Sequence, residues 1–170
     1  RNETDLIKTR VRKTIEQELA TDPYAQKVFG ELLREAIAAA EAMFDHPLKQ
    51  YALFKKFEEN LEAMHTPGIP GHLDTNRQAK AYFGAIRLEL GEAAVDAMSV
   101  VERERFTALA LNIDTVVRNA IAENSLNPQS IEATIRKNLL PQLFEVMGLD
   151  SAKAVVEQVV QITRIGLSRE

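Results

Sequence analysis

Residues 99–123 read SVVERERFTALALNIDTVVRNAIAE, and this run decides the fold class. Phe106, Leu109, Ala110, Ile113, Val116, Val117, Ala120 and Ile121 recur at spacings of three and four. On a helical wheel they fall within roughly 140° of one another, which is one apolar stripe along a long helix. Ser99-x-x-Glu102 ahead of them has the capping-box pattern, so the helix is predicted to run from about Val100 to Glu123.

The same period extends outward in both directions. Downstream, Asn127 can cap and Pro128 can open a helix carrying Ile131, Ile135 and Leu139, with Pro141 expected to kink or break it and Gly148 to end it. Asp150 or Ser151 then starts a last helix with Val155, Val156, Val159, Val160 and Ile162 on one side. These β-branched residues suit a strand, but their spacing is not alternation. Upstream, Asp74 or Thr75 can cap a helix with Ala79, Tyr82, Phe83, Ile86 and Leu90 that ends near Gly91, and a short segment 92–98 follows it.

Nearer the start, Ile7, Val11, Ile15 and Leu19 share one face of a helix from about Thr4 to Ala20. Asp22-Pro23 opens a second, with Tyr24, Val28, Leu32, Ile37, Phe29, Leu33, Ala36 and Ala40 on a wide apolar face. Asp45-His46-Pro47 opens a third, striped by Leu48, Tyr51, Phe54, Phe57, Leu61 and Met64. The segment 66–72 holds two prolines and two glycines and cannot continue a helix. The expectation is an all-α fold of about eight helices without a sheet. It forms a single helical domain over residues 1–170, with a surface loop at about 65–73.

Length and charge bound the rest. A chain of 170 residues can bury roughly 70% of the surface its unfolded form exposes, so it can hold its own core. With no cysteine there is no disulfide framework and no thiolate metal site, which fits a reducing, cytoplasmic setting. The first residue is Arg1 rather than Met, and charges interrupt the first thirteen residues, so neither a signal peptide nor a membrane span is expected there, and the chain looks excised from a longer one. A net charge of −4 argues against attraction to phosphate over the whole surface, so any nucleic-acid contact must come from a local patch.

Four short signatures stand in order along the C-terminal helices: Ile113-Asp114, Asn127-Pro128-x-x-Ile131-Glu132, Leu139-Leu140-Pro141 and Arg164-x-Gly166-Leu167-Ser168-Arg169. Their order and spacing over residues 109–170 resemble the C-terminal end of the motor (R) subunit of type I restriction-modification enzymes. The resemblance implies a piece of a large DNA translocase in which a nuclease domain and two helicase-like motor domains precede this segment. It also implies a parent that is an ATP-dependent, type I site-specific deoxyribonuclease using ATP and magnesium. The implied partners are DNA, the modification (methyltransferase) and specificity subunits, and the remainder of the motor subunit.

None of the parent's reacting residues can be placed on this chain. There is no Gly-x-x-x-x-Gly-Lys-Ser/Thr loop to cradle phosphates, no strand-borne Asp and Glu-x-Lys set to hold a nuclease metal, and no Gly-x-Ser-x-Gly or His-Glu-x-x-His. His65 and His72 bracket the proline-glycine segment, and with Asp74 they could make a metal site, but solvent-facing loop residues are the commoner meaning of such spacing. His46 is more simply a cap. The segment is therefore expected to be non-catalytic, with no cofactor or metal of its own.

Two basic groups are candidate DNA contacts. Lys8, Arg10, Arg12 and Lys13 cover the side of the first helix away from its apolar face, and Arg77, Lys80 and Arg87 share one side of the helix after the loop. By contrast, Arg103 and Arg105 alternate with Glu102 and Glu104, which suggests pairing within their own helix. Asp114 and Arg118, four apart on the flank of the longest helix, read as a surface ion pair worth about 0–1 kcal/mol or, with the resemblance, as an assembly contact. Arg136 and Lys137 could serve carbonyls freed by Pro141. Arg164 and Arg169 surround Gly166, the expected C-cap, and either satisfy that helix end or present a basic tip to a partner. Two other classes remain open: an assembly module with no DNA contact, and an unrelated ligand-binding or enzymatic bundle, for which no pattern indicates a pocket.

Overall fold

In a computed structural model of the chain, residues 3–125 and 127–169 are described, and among them there are eight α-helices, two 3-10 turns and no strand. The all-helical expectation holds. The chain divides into two compact units, Arg1–Pro67 and Gly68–Glu170, and the boundary falls inside the proline-glycine segment.

The N-terminal unit holds α1 (Glu3–Gln17), α2 (Pro23–Glu41) and α3 (Pro47–Glu62). Helix α1 ends at Gln17 and tightens into a 3-10 turn over Glu18–Thr21, slightly earlier than its period suggests. Asp22 then caps α2 by accepting from the Ala25 amide at 3.1 Å, with Pro23 in the first turn as expected. His46 takes the N-cap position of α3 but makes no side-chain capping bond. Ile7, Val11 and Ile15 of α1 pack with Phe29, Leu33 and Ala36 of α2 and with Phe54 and Leu61 of α3. Phe29 meets the edge of Phe57 at 6.4 Å between ring centroids. Leu48, assigned from sequence to the core stripe of α3, is 85% exposed beside Phe44 at 80%, because it sits in the first turn before α3 reaches the bundle. Thr66 is buried, and the Tyr24 hydroxyl donates to the Pro67 carbonyl at 3.1 Å, which fixes the end of this unit.

The C-terminal unit holds α4 (Arg77–Leu90), α5 (Glu92–Asp96), α6 (Val100–Glu123), α7 (Pro128–Met147) and α8 (Leu149–Ser168). Ser99 caps α6 through the Glu102 amide at 3.2 Å, and Asn127 caps α7 through the Ser130 amide at 3.2 Å, both as read from sequence. The cap of α4 is instead Asn76, which accepts from the Ala79 amide at 3.0 Å, because Asp74 and Thr75 belong to the preceding turn. Gly91 and Gly148 terminate α4 and α7 with φ of 92° and 82°, a region closed to most side chains.

Pro141 lies inside α7 and does not break it. The helix loses one backbone donor there, but Leu139 and Leu143 on either side are fully buried and hold both halves to the core. Gly166 likewise lies within α8 and is not its C-cap. That role falls to Arg169, whose amide donates to the Gly166 carbonyl at 3.3 Å. Helix α6 packs on α4 and α7, and α8 packs on α4 and α7. Helix α4 is buried continuously from Ala79 to Arg87, so no side of it is left to solvent over that stretch.

Candidate interaction surfaces

The signature residues of the C-terminal helices do different work from one another. Ile113, Ile131 and Leu139 are fully buried and fill the core where α6 and α7 meet. Asn127 is the cap. Glu132 and Arg164, from two separate signatures, meet across the α7–α8 seam. Arg164 Nε and Nη2 donate to the two Glu132 carboxylate oxygens at 3.0 and 2.7 Å. One turn further on, Arg136 Nε and Nη2 donate to Glu157 at 2.9 and 3.0 Å, and Arg136 also lies 3.7 Å from Glu132.

The result is an alternating chain, Arg164–Glu132–Arg136–Glu157, laid along the seam between two helices. The Arg164 guanidinium holds the Glu132 carboxyl below the usual glutamate range, and Arg136 does the same for Glu157. The sequence alone places Glu132 in a signature and offers Arg136 to carbonyls near Pro141. Each side chain instead reaches a partner on the neighbouring helix. The signal that could have found this is the matching four-residue step of Glu132 and Arg136 and seven-residue step of Glu157 and Arg164, two charged registers on facing helices.

Asp114 departs further from its expected place. It is 2% exposed rather than on the surface of α6, and its carboxylate accepts from Asn76 Nδ2 at 3.3 Å and from Arg118 Nη2. Asn76 is also the cap of α4, so one amide side chain ties the start of α4 to the middle of α6. Tyr82 is buried nearby, and burial followed by the Asp114 charge pushes its phenol well above the usual tyrosine range. Arg118 remains 69% exposed. Of this expected surface pair, only the cation faces water.

The two basic groups also separate. Arg77 is exposed, whereas Lys80 and Arg87 are each 5% exposed, so the three do not form the surface stripe their spacing suggests. Arg87 grips Asp96 with Nη1 and Nη2 at 2.7 and 3.1 Å and holds that carboxyl below the ordinary range. It closes α5 onto α4. The helical period was right; the stripe fails because α5, α6 and α8 all pack on α4. Arg103 donates to the Asp96 and Met98 carbonyls at 3.3 and 3.0 Å rather than to the glutamates beside it.

On α1, Lys8 lies 5.6 Å over the Phe54 ring and 3.6 Å from Asp5, and Arg10 is fixed on buried Glu58 at 2.9 and 3.1 Å. Arg12 and Lys13 are exposed. Hence Arg12, Lys13 and Arg77 are the residues of the two expected groups that offer an exposed charge without an ion pair to a described residue, and Arg169 adds an exposed cation at the end of α8. Among the described residues, no group of three His, Cys, Asp or Glu side chains is placed to hold a metal ion, and no helix is long and apolar enough to cross a membrane.

No protein-family model, no curated protein and no solved structure matches the chain.

Proposed function

We propose that the chain is a non-catalytic helical domain of a type I restriction motor subunit. Its role is to contribute to assembly with the modification complex and to DNA binding while the parent translocates and cleaves DNA with ATP and magnesium in the cytoplasm. The observation that supports this most is the junction of two signatures through Glu132 and Arg164, which the sequence resemblance alone does not require. Residues that recur in such an order without reacting groups are suited to holding a helical body in one shape, as a docking element needs. In this proposal the DNA contact is carried by the exposed Arg12, Lys13 and Arg77, and partner contact by the exposed sides of Arg118 and Arg169.

A second proposal, an assembly module with no DNA contact, is favoured by the burial of Lys80 and Arg87 and by the engagement of Arg10 with Glu58. One pair of measurements separates the two. A motor subunit truncated before Arg1 should fail to be pulled down by the modification complex, and the 170-residue chain should bind duplex DNA at low salt and lose it when Arg12, Lys13 and Arg77 become Glu. Lost assembly with no DNA binding at low salt selects the second proposal. Unchanged assembly and unchanged DNA binding by the truncated subunit removes both.

A further inference from the structure

The outer side of α6 carries a seam that faces water. Val101, Glu104, Ala108, Leu111, Thr115 and Arg118 recur at alternating steps of three and four, lie within about 100° of arc on the helix, and are all exposed. Val101 is 68% and Leu111 41% exposed, whereas Ala110, Ile113 and Val117 on the inner side are buried. Polar groups along the seam are engaged within the chain. Asn112 donates to Gln142 of α7, Arg103 donates to the Asp96 and Met98 carbonyls, and the Thr115 hydroxyl turns back onto the Leu111 carbonyl at 3.3 Å. From Val101 to Arg118 the seam runs about 26 Å.

Its two charges are placed symmetrically. Glu104 stands seven residues before Leu111 and Arg118 seven after it, about 10 Å along the axis on either side. Glu104 has no ion pair or hydrogen bond with a described residue. Arg118 gives Nη2 to buried Asp114, which steadies the guanidinium while the side chain stays 69% exposed. Within one chain, Glu104 and Arg118 are about 21 Å apart along the helix and cannot meet. A second copy laid antiparallel, with a two-fold axis at Leu111, sets Glu104 of each chain opposite Arg118 of the other and Leu111 against its twin. Parallel pairing would instead set acid on acid and base on base. Arg105 lies about 140° round the helix from Arg118, on the opposite flank, so it adds no like charge beside the pair. A phosphate backbone fits the seam poorly, since Glu102 and Glu104 stand on its first turn.

We propose that α6 pairs antiparallel with α6 of a second copy of this chain, about a two-fold axis at Leu111 and held by two Glu104–Arg118 ion pairs. The small side chains of Ala108 and Thr115 let the two helices approach closely beside Leu111. This rests on the reading of Arg118 as a partner contact and names that partner as a second copy, leaving Arg169 for the modification complex. A contact made by one helix face is small, so the dimer exchanges with monomer, and charge sets its orientation more than its strength.

Sedimentation equilibrium of the 170-residue chain alone should give monomer near about 1 µM and dimer near about 100 µM. Glu104→Arg and Arg118→Glu should each weaken the dimer by at least about tenfold, because each puts like charges at both ends. Mixed in equal amounts, the two variants should regain the dimer, since they present opposite charges to each other at both ends. Arg118→Glu stands beside Asp114, so its fold is checked by circular dichroism, and a second test leaves that pair alone. The chain has no cysteine, so Leu111→Cys should form a disulfide-linked dimer on mild oxidation. It should do so at least about tenfold faster than Val101→Cys, whose twins would lie about 30 Å apart. A chain that is monomeric at about 100 µM, a dimer indifferent to Glu104→Arg, a mixture of folded variants that stays monomeric, or equal cross-linking at the two positions overturns the proposal. No DNA or modification subunit is present in these assays, so such a result leaves the function proposed above to its own pull-down.

Discussion

Replacing Asp114 with Ala separates a structural from a surface role for this carboxylate. Its side chain is 3% exposed and accepts hydrogen bonds from Asn76 and from Arg118. Hydrogen bonds to a charged group are worth about 1.5–3 kcal/mol net. The bond from Asn76 is part-buried and, at 3.3 Å, counts toward the lower end of this range. The Arg118 side chain is 69% exposed and returns to water easily, so its share is nearer about 0–1 kcal/mol. Deleting the carboxylate also removes its own desolvation cost, which offsets part of the loss. The expected net destabilisation of Asp114→Ala is about 2 kcal/mol, or roughly 4–8 °C in Tm for a chain of this size. Urea unfolding followed by far-ultraviolet circular dichroism should show a lower midpoint with unchanged slope. In the Asp114→Ala background, Arg118→Ala should add less than about 0.5 kcal/mol, since its main partner is already gone. If Asp114→Ala were as stable as the parent and only partner binding fell, the buried placement would be refuted and a surface assembly role for this residue restored.

Four further outcomes follow from the same geometry. Glu58, Glu132 and Glu157 are each held below the ordinary glutamate range by arginines, so their contribution is present above about pH 4.5 and is lost as pH falls through the depressed values. The urea midpoint should therefore be flat between about pH 6 and 5 and drop below about pH 4.5, and Glu132→Gln/Glu157→Gln should flatten that drop. Reversing one pair, Glu132→Arg, should lower Tm, and Glu132→Arg/Arg164→Glu should recover part of the loss if the two side chains meet as described. Leu139→Ala, in the fully buried row beside Pro141, should cost about 2–5 kcal/mol, whereas Leu48→Ser should fall within about 0.5 kcal/mol of the parent. Asn127→Ala should cost about 1 kcal/mol by removing the cap of α7, measured by the same urea titration.

Local chemistry settled a large part of this fold before any tertiary contact. Asp22, Ser99 and Asn127 each cap the helix that their position before an apolar run predicts, because a capping oxygen and an amide two or three residues on are neighbours in every helix start. The stripe of Phe106, Ala110, Ile113, Val117 and Ala120 on α6 is buried as its period demands. Gly91 and Gly148 stop their helices for an equally local reason, a backbone angle that favours glycine.

What only the packing decided is which polar side chains stay in water. Lys80, Arg87 and Asp114 have the spacing of exposed residues, yet neighbouring helices close over them, and no periodicity reports how many neighbours a helix will have. Glu132 reaches Arg164 across 32 residues of chain, a partnership set by the register of α7 against α8. Pro141 is tolerated because Leu139 and Leu143 are pinned by that same core, at a burial worth more than the hydrogen bond the ring removes. Sequence thus determined where helices form and which faces are apolar, since both depend on residues within one or two turns. The tertiary structure alone decided which charges are spent holding helices together and which remain for a partner, because that depends on surfaces brought from elsewhere in the chain.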